Sequence, residues 1–420
     1  MRVLWFTNTP SCYCDKQVGY NGGGWIFSLE KELRKSVGNQ MELGICFYHR
    51  QQISLAKVVQ NGVTYYPCPR PKKSFVYIIK TIFGNLESAS YEHEKLAIPQ
   101  LLEVVNDFKP DIIHVFGSEN IYGLLSNYVA IPLVLHIQGI LTSIWNAYLP
   151  PFVSWTMYFC KQKSIKALLQ SISDKIAWKR NCITEQRMFK SIKYFMGRTE
   201  WDKSILYTLN PNAQYFHCNE ILRDSFYLEE PRREIPSHRF VFTTVISSQL
   251  YKGFDILLKT AKVLKDMNLD FEWNVFGDVG LNIAKRLSKV TLEEVNVYIK
   301  GIASSDVIMC ALLHSTAYIH TSYIDNSPNA LCEAQVLGCT CISTNVGGIS
   351  SLIEHGRTGF LVPVNDPYSM AHYIITVSRD SNLNSQIGMN ARNEALKRHN
   401  KEKNTKCVME IYHQILDHKR

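Results

Sequence analysis

Two carboxylates eight positions apart, Asp325 and Glu333, stand on either side of what reads as a helix start. Ser327 followed by Pro328 is the signature. It offers a hydroxyl N-cap with proline at the first helical position, where the missing N–H costs nothing. Gly338 ends the same helix about three turns later. The apolar segment 317–322 before it reads as a strand, so the helix opens at a strand's carboxyl end. A helix start presents unpaired amides and the positive end of a dipole, which suits an anion such as a diphosphate. Asp325 in the loop and Glu333 inside the helix can accept hydrogen bonds from sugar hydroxyls. The competing reading of this segment alone is an ordinary capped helix with one buried acid.

Other residues fall at comparable junctions. Lys252, in Tyr251-Lys-Gly-Phe-Asp255, follows a strand read at 240–246. A cation there can neutralise charge on a leaving diphosphate; the plain alternative is a solvated surface lysine. Gly22, Gly23 and Gly24 precede a helix opening at Trp25 and let backbone amides approach a phosphate or a sugar. Such loops also serve as plain turns. The run is not G-x-G-x-x-G, so a nicotinamide dinucleotide is not favoured. Gly277 and Gly301 end two further strands, where a base and ribose could lie against the backbone. His136 and Gln138 are two apart, so in a strand they share one face. His114, on a neighbouring strand, reads chiefly as a satisfied core residue.

Alternating strands and helices must position these groups. Strands are expected at 3–7, 41–48, 63–68, 111–117, 132–138, 193–197 and 214–218, with helices such as 25–37 and 92–108 between them. The pattern restarts at 240–246 and continues through 271–276, 295–299, 317–322 and 339–343. Two parallel α/β domains follow, 1–228 and 229–400, with the charged, proline-bearing stretch 229–238 as linker. A last helix spans 401–420. Domains of this class bind ligands at their strand ends, across a cleft when two face each other.

Composition sets limits. A chain of 420 residues fits two domains, and 46% hydrophobic with 20% charged residues describes a globular protein. No run of eighteen apolar residues is present, which argues against a membrane span. The N-terminus is apolar too briefly for a signal peptide. Twelve cysteines lie scattered without a C-x-x-C pair, and they read as reduced thiols of a cytoplasmic protein with no metal site. Residues 150–195 carry nine Lys or Arg against Asp174 and Glu185, interleaved with eight aromatics, and supply most of the net charge of +9. Such a stretch can sit on anionic lipid at the inner membrane face, or be a solvated helix with its aromatics in the core. Nucleic acid is not expected, because no binding motif accompanies the charge.

Taken together, the Gly-rich first loop, Tyr-Lys252-Gly-Phe-Asp, Asp325-x7-Glu333, Asn345-Val-Gly-Gly348 and Glu354-His-Gly-Arg-Thr-Gly-Phe-Leu-Val362 resemble family 4 glycosyltransferases of the GT-B fold. The resemblance implies two Rossmann-like doubly wound domains facing across a cleft, the first binding acceptor and the second binding nucleotide sugar. The C-terminal helix would pack back on the first domain. It also implies a retaining transfer of a hexosyl unit from a nucleotide-diphosphate sugar to a hydroxyl acceptor, with no metal or other cofactor. The acceptor expected is a glycan or lipid-linked saccharide of bacterial surface polysaccharide synthesis. Carried over, Asp325 lies by the donor sugar, Glu333 holds the nucleotide ribose and Lys252 contacts the diphosphate. Asn326, Ser327, Asn329, Ala330 and Leu331 form the phosphate-holding helix start. This chain departs from the pattern with Asp for Glu at 325, Ser247 for an arginine, Ser351 for a glutamate and Gln138 for a histidine. His136 is then the nearest imidazole, and Arg198 a candidate replacement cation. A sugar-nucleotide 2-epimerase and a silent sugar-nucleotide-binding subunit are the alternatives.

Overall fold

The computed structural model describes residues 1–13, 24–38, 41–72, 74–82, 85–227 and 239–417, and the chain divides into two α/β units. The first unit comprises Met1–Trp145, Leu169–Ile221 and Asn400–Arg420. Its strands are β1 (Arg2–Thr7), β2 (Glu42–Tyr48), β3 (Val58–Gln60), β4 (Val63–Cys68), β5 (Ile112–Phe116), β6 (Leu133–His136), β7 (Tyr194–Gly197) and β8 (Gln214–His217). They form one sheet in the order β3-β4-β2-β1-β5-β6-β7-β8, parallel apart from the β3–β4 hairpin. Alternate residues of β1 enter opposite cores. Leu4 and Phe6 join the cluster with Phe108 and Phe189, whereas Val3 and Trp5 join the one with Trp25 and Tyr412. A strand buried on both faces needs helices on both sides, which is why β1 is apolar throughout.

The second unit comprises Asn146–Leu168 and Leu222–His399. Its strands are β9 (Phe240–Ile246), β10 (Phe271–Gly277), β11 (Val297–Gly301), β12 (Ala317–His320), β13 (Cys341–Thr344) and β14 (Phe360–Val362). The parallel order β11-β10-β9-β12-β13-β14 is the dinucleotide-fold order 3-2-1-4-5-6. Chain direction across the sheet reverses between β9 and β12. Loops leaving those two neighbouring strands diverge to opposite sides and open a crevice at their carboxyl ends.

The domain boundary differs from the sequence reading. Residues 146–168 belong with the second unit, because Ala147 packs on its core, the Tyr148 ring lies 6.0 Å from Tyr251, and Arg286 donates to the Lys161 carbonyl. The expected linker 229–238 and Gly22–Gly23 lie outside the described residues. The helix Lys401–Asp417 belongs to the first unit, where Val408, Ile411 and Ile415 are buried. Tyr412 fixes it there: its hydroxyl accepts from Trp5 Nε1 at 3.0 Å and lies 2.6 Å from His114 Nδ1. His114 is therefore a core residue held through Nδ1, while its buried Nε2 has no hydrogen-bond partner.

Candidate active site

Lys252 and Asp325 meet at the second unit's switch point because two glycines permit it. After β9 a single helical turn, Leu250–Lys252, ends at Gly253 with φ +74°, and a Cβ there would stand 1.9 Å from the Thr321 carbonyl oxygen. The turn thus presses directly on the exit of β12, where Thr321 Oγ1 donates to the Lys252 carbonyl at 3.2 Å. On the other side Gly347, φ +53°, leaves no room for a Cβ beside the Asp325 carbonyl, which accepts from the Gly348 amide at 3.0 Å. Held this way, Lys252 Nζ lies 2.7 Å from Asp325 Oδ2, with side chains 21% and 14% exposed. His320 Nε2 is 3.2 Å from the same oxygen, and the Asn326 amide donates to Oδ1 at 3.1 Å.

Burial alone would raise the Asp325 carboxyl, but the Lys252 ammonium and the neighbouring His320 more than offset it and hold it below the usual carboxylate range. Burial likewise works against a charged Lys252, and Asp325 with Tyr251 outweighs it, so the ammonium is held above its ordinary value. Both groups are ionised at neutral pH. The Tyr251 ring, 5.3 Å from Nζ, connects this turn to an aromatic cluster: Tyr148 stacks on Trp155 at 5.6 Å, and Trp155 packs against Tyr158 and Phe159.

The helix that follows runs Asn329–Val336 and starts one residue later than expected. Pro328 occupies the N-cap with extended backbone and no side-chain cap; Ser327 precedes it, its Oγ 3.9 Å from Cys332 Sγ. Extended φ and ψ at proline suit the cap position, so the hydroxyl is displaced from capping. The Leu331 and Cys332 amides bond the Pro328 carbonyl. Those of Asn329 and Ala330, at the positive end of the helix, are the orphan donors every helix start leaves. Leu331 is fully buried, and Asn326 nearly so, as supports of this turn.

Glu333 sits one turn further and has a partner the sequence did not reveal. Arg223 Nε donates to Oε1 at 2.7 Å and Nη2 to Oε2 at 2.6 Å, a two-pronged pair with side chains 16% and 3% exposed. Arg223 lies 110 residues before Glu333 in an extended segment, its guanidinium 4.8 Å from the Phe226 ring centre. Gln335 and Arg398 both bond the Leu352 carbonyl and brace the same helix. Gly277, at the end of β10, is half-buried.

Residues 228–394, which hold Lys252, Asp325, Glu333 and the Gly347 turn, match the family described as glycosyl transferases group 1. That segment, about two fifths of the chain, is similar to the family's glycosyltransferases. Among its relatives is the N-acetyl-alpha-D-glucosaminyl L-malate synthase of Bacillus anthracis, 36% identical over 86 residues, 20% of this chain and 23% of the relative. The 2-deoxystreptamine N-acetyl-D-glucosaminyltransferase of Niallia circulans is 23% identical over 299 residues, 68% of this chain and 72% of that protein. Sucrose-phosphate synthase from Thermosynechococcus elongatus superposes with TM-score 0.72 at 12% identity, covering 99% of both chains. The fold is GT-B, as the resemblance implied.

First-unit candidates are placed differently. Gly24 opens the helix Gly24–Val37. β6 ends at His136, so Gln138 lies beyond the strand and shares no strand face with it. His136 is fully buried, with Trp25 edge-on at 4.9 Å and His114 stacked at 5.5 Å. Burial, with the neighbouring His114 and Arg198, pushes its pKa well down, so the imidazole is neutral. The half-exposed Gln138 is the more accessible of the two. Arg198, expected as a replacement diphosphate cation, is committed elsewhere. It is buried, pairs with Glu220 at 3.1 Å and lies 5.3 Å from the Trp25 ring. Asp202, capping the helix Glu200–Leu209, bonds its backbone amide and fixes the turn that aims it inward.

Proposed function

We propose that the protein transfers a glycosyl unit, with retention and without a metal ion, from a nucleotide-diphosphate sugar to a hydroxyl acceptor. The observation that carries this reading is the Lys252–Asp325 pair at the β9/β12 switch point, beside the orphan amides of Asn329 and Ala330. Those groups suit a diphosphate: one cation and a helix start to meet its charge, with carboxylates for sugar hydroxyls. The relatives' names, two N-acetylglucosaminyl transfers to hydroxyl-bearing small molecules, support the same class of reaction. The family match and the intact ion pair favour transfer over the epimerase and silent-subunit readings.

In this mechanism the bond from the anomeric carbon to the diphosphate breaks as the acceptor oxygen bonds to the same carbon on the same face. Positive charge grows on the sugar ring and negative charge on the leaving oxygen. The acceptor's proton passes to the departing diphosphate. Lys252 Nζ and the Asn329 and Ala330 amides take up the leaving group's charge, and Asp325 orients the donor sugar's hydroxyls. Glu333, clamped by Arg223, accepts from the ribose hydroxyls with its oxygens already fixed in place. Pre-set donors of this kind act most strongly where charge develops.

The acceptor we assign is a glycan or lipid-linked saccharide of surface polysaccharide synthesis, met in the cytoplasm at the inner membrane face. No helix among the described residues is long and apolar enough to cross a membrane. The stretch 150–195 is not one lipid-facing surface, because Phe189 and Phe195 are fully buried and Tyr194 nearly so. Its exposed part includes Phe152, Lys163 and Lys166. Glu333→Ala and Lys252→Ala are each expected to cut transfer about a hundredfold or more, the size of one lost charged contact. The first should act on donor KM and the second on kcat. Near-native kinetics in both would sink the donor-site assignment.

A further inference from the structure

A second cationic site lies in the first unit. A cavity of about 220 Å³ opens at the carboxyl ends of β2, β4 and β5, lined by Tyr48, Arg70, Lys72, Ser118, Asn120 and Arg180. That is smaller than the roughly 300–1,000 Å³ that enclose a whole small ligand, and it suits a single charged group. None of Arg70, Lys72 and Arg180 forms an ion pair among the described residues. Arg180 bonds only the Asn181 side-chain oxygen, at 2.6 Å, while its guanidinium lies 5.4 Å from the Tyr77 ring. Burial depresses its pKa without a countercharge. Arg70 lies 6.0 Å from the Tyr48 ring, and the Tyr48 hydroxyl is buried without a hydrogen-bond partner.

Nearby acids do not serve as countercharges. Glu119 is itself part of the cavity lining, but it is exposed and its carboxylate accepts from Asn8 Nδ2 at 2.7 Å. Glu185, beneath Ser118, is satisfied by Ser118 Oγ at 2.5 Å and by the Leu141 amide, Thr142 amide and Thr142 hydroxyl, each at 2.8 Å. Three cations and an unused phenol, set against the single carboxylate of Glu119, leave the cavity net positive and suit a polyanion with several oxygens. The adjoining helix Phe75–Ile82 supplies Tyr77 to the cavity wall and turns an apolar face outward: Phe75, Val76, Ile78 and Ile79 are all exposed. Exposed apolar surface beside a site marks a place where something apolar lies.

We propose that this pocket binds the phosphate or diphosphate that joins the acceptor saccharide to a lipid, with the hydrocarbon chain lying along the helix Phe75–Ile82. The inference rests on the transfer reading above and adds the acceptor's charged group to it. The shared chemistry is a sugar phosphate, and soluble and lipid-borne sources differ only in the chain.

Calorimetric titration of the full chain at low salt tests this, with inorganic pyrophosphate and octyl diphosphate as probes. Native protein should bind pyrophosphate at two sites, one weakened by Lys252→Ala and the other by Arg70→Gln with Arg180→Gln. Each lost cation should weaken the second site about tenfold or more, the loss expected for one charge-assisted contact. Octyl diphosphate should bind that site about tenfold tighter than pyrophosphate, as for roughly two methylenes leaving water. Val76→Gln with Ile79→Gln should erase that gain. Should the double arginine variant lose cooperative unfolding, Lys72→Gln at an exposed loop position gives the same readout. A double variant that titrates like the native protein overturns the proposal. Equal affinity for the two probes overturns the lipid source and assigns the pocket to a soluble sugar phosphate. Loss of only the Lys252-dependent site would instead count against the donor assignment and leave the pocket standing.

Discussion

Replacing Arg223 by alanine tests how the second carboxylate is held. The guanidinium makes two short bonds to Glu333, whose side chain is only 3% exposed. Breaking a buried pair by removing one partner costs roughly 3–5 kcal/mol, and the partial exposure of Arg223 places it at the lower end, about 3 kcal/mol. A unit of this size loses roughly 2–4 °C per kcal/mol, so its transition should fall by about 6–12 °C. Scanning calorimetry of Arg223→Ala, Glu333→Gln and the double variant would measure this. The double variant should be less destabilised than the sum of the singles by about 1.5 kcal/mol or more, since the penalty for one orphaned charge disappears when both are gone. Donor KM should rise alongside, because the carboxylate is no longer fixed. A fall under about 2 °C, with strictly additive effects, would refute the clamp.

Asp325 has its pKa lowered in the folded state, so its contribution to stability is present above about pH 4 and is lost as pH falls further. The raised Lys252 contributes fully below about pH 10 and loses its contribution at higher pH. Asp325→Asn should therefore lower stability across neutral pH and flatten the acid limb, as urea titrations at several pH values would show. Arg198→Met should destabilise the first unit by roughly 3–5 kcal/mol through the orphaned Glu220, with donor KM unchanged; a KM effect without a stability loss would reinstate it as a diphosphate cation. Gly347→Ala, forced to meet the Asp325 carbonyl at 1.9 Å, should impair folding or activity severely, and a native-like variant in both assays would contradict the geometry. Transfer should persist in excess chelator; its loss, with rescue by magnesium, would count against the metal-free reading.

Much of this architecture was legible because buried parallel strands are continuous apolar runs. Residues 3–7 and 240–246 announce themselves as β1 and β9. Three-residue strands such as β3 and β14 carry too little periodicity to be read, and the helix Phe75–Ile82, apolar but for Lys80 and Thr81 in its last turn, lacks the polar stripe that separates helix from strand. At the site, spacing within one segment was readable: Asp325, Glu333 and the Gly347–Gly348 turn lie close in sequence and in space. Partners distant in sequence were not. Nothing local in residues 219–227 says that Arg223 reaches Glu333. Nothing near Arg198 says that Glu220 and Trp25 claim it, so a free cation was inferred where a buried pair exists. The N-cap was misplaced by one residue because Ser–Pro admits two helix starts, and the backbone chose proline as the cap.

The helix Lys401–Asp417, locked by Tyr412 against Trp5 and His114, has a consequence for synthesis on the ribosome. The first unit owns residues at both extremes of this sequence, with Leu222–His399 of the second unit translated in between. At 5–20 residues per second, roughly 10–40 s separate Ile221 from Asn400. Throughout that interval the nascent first unit lacks the helix that covers Trp5 and Leu33, and an apolar face stays bare. The second unit emerges later yet has all its parts first. Vectorial folding should thus run out of chain order, and the first unit is where a chaperone would hold this polypeptide while it is being made.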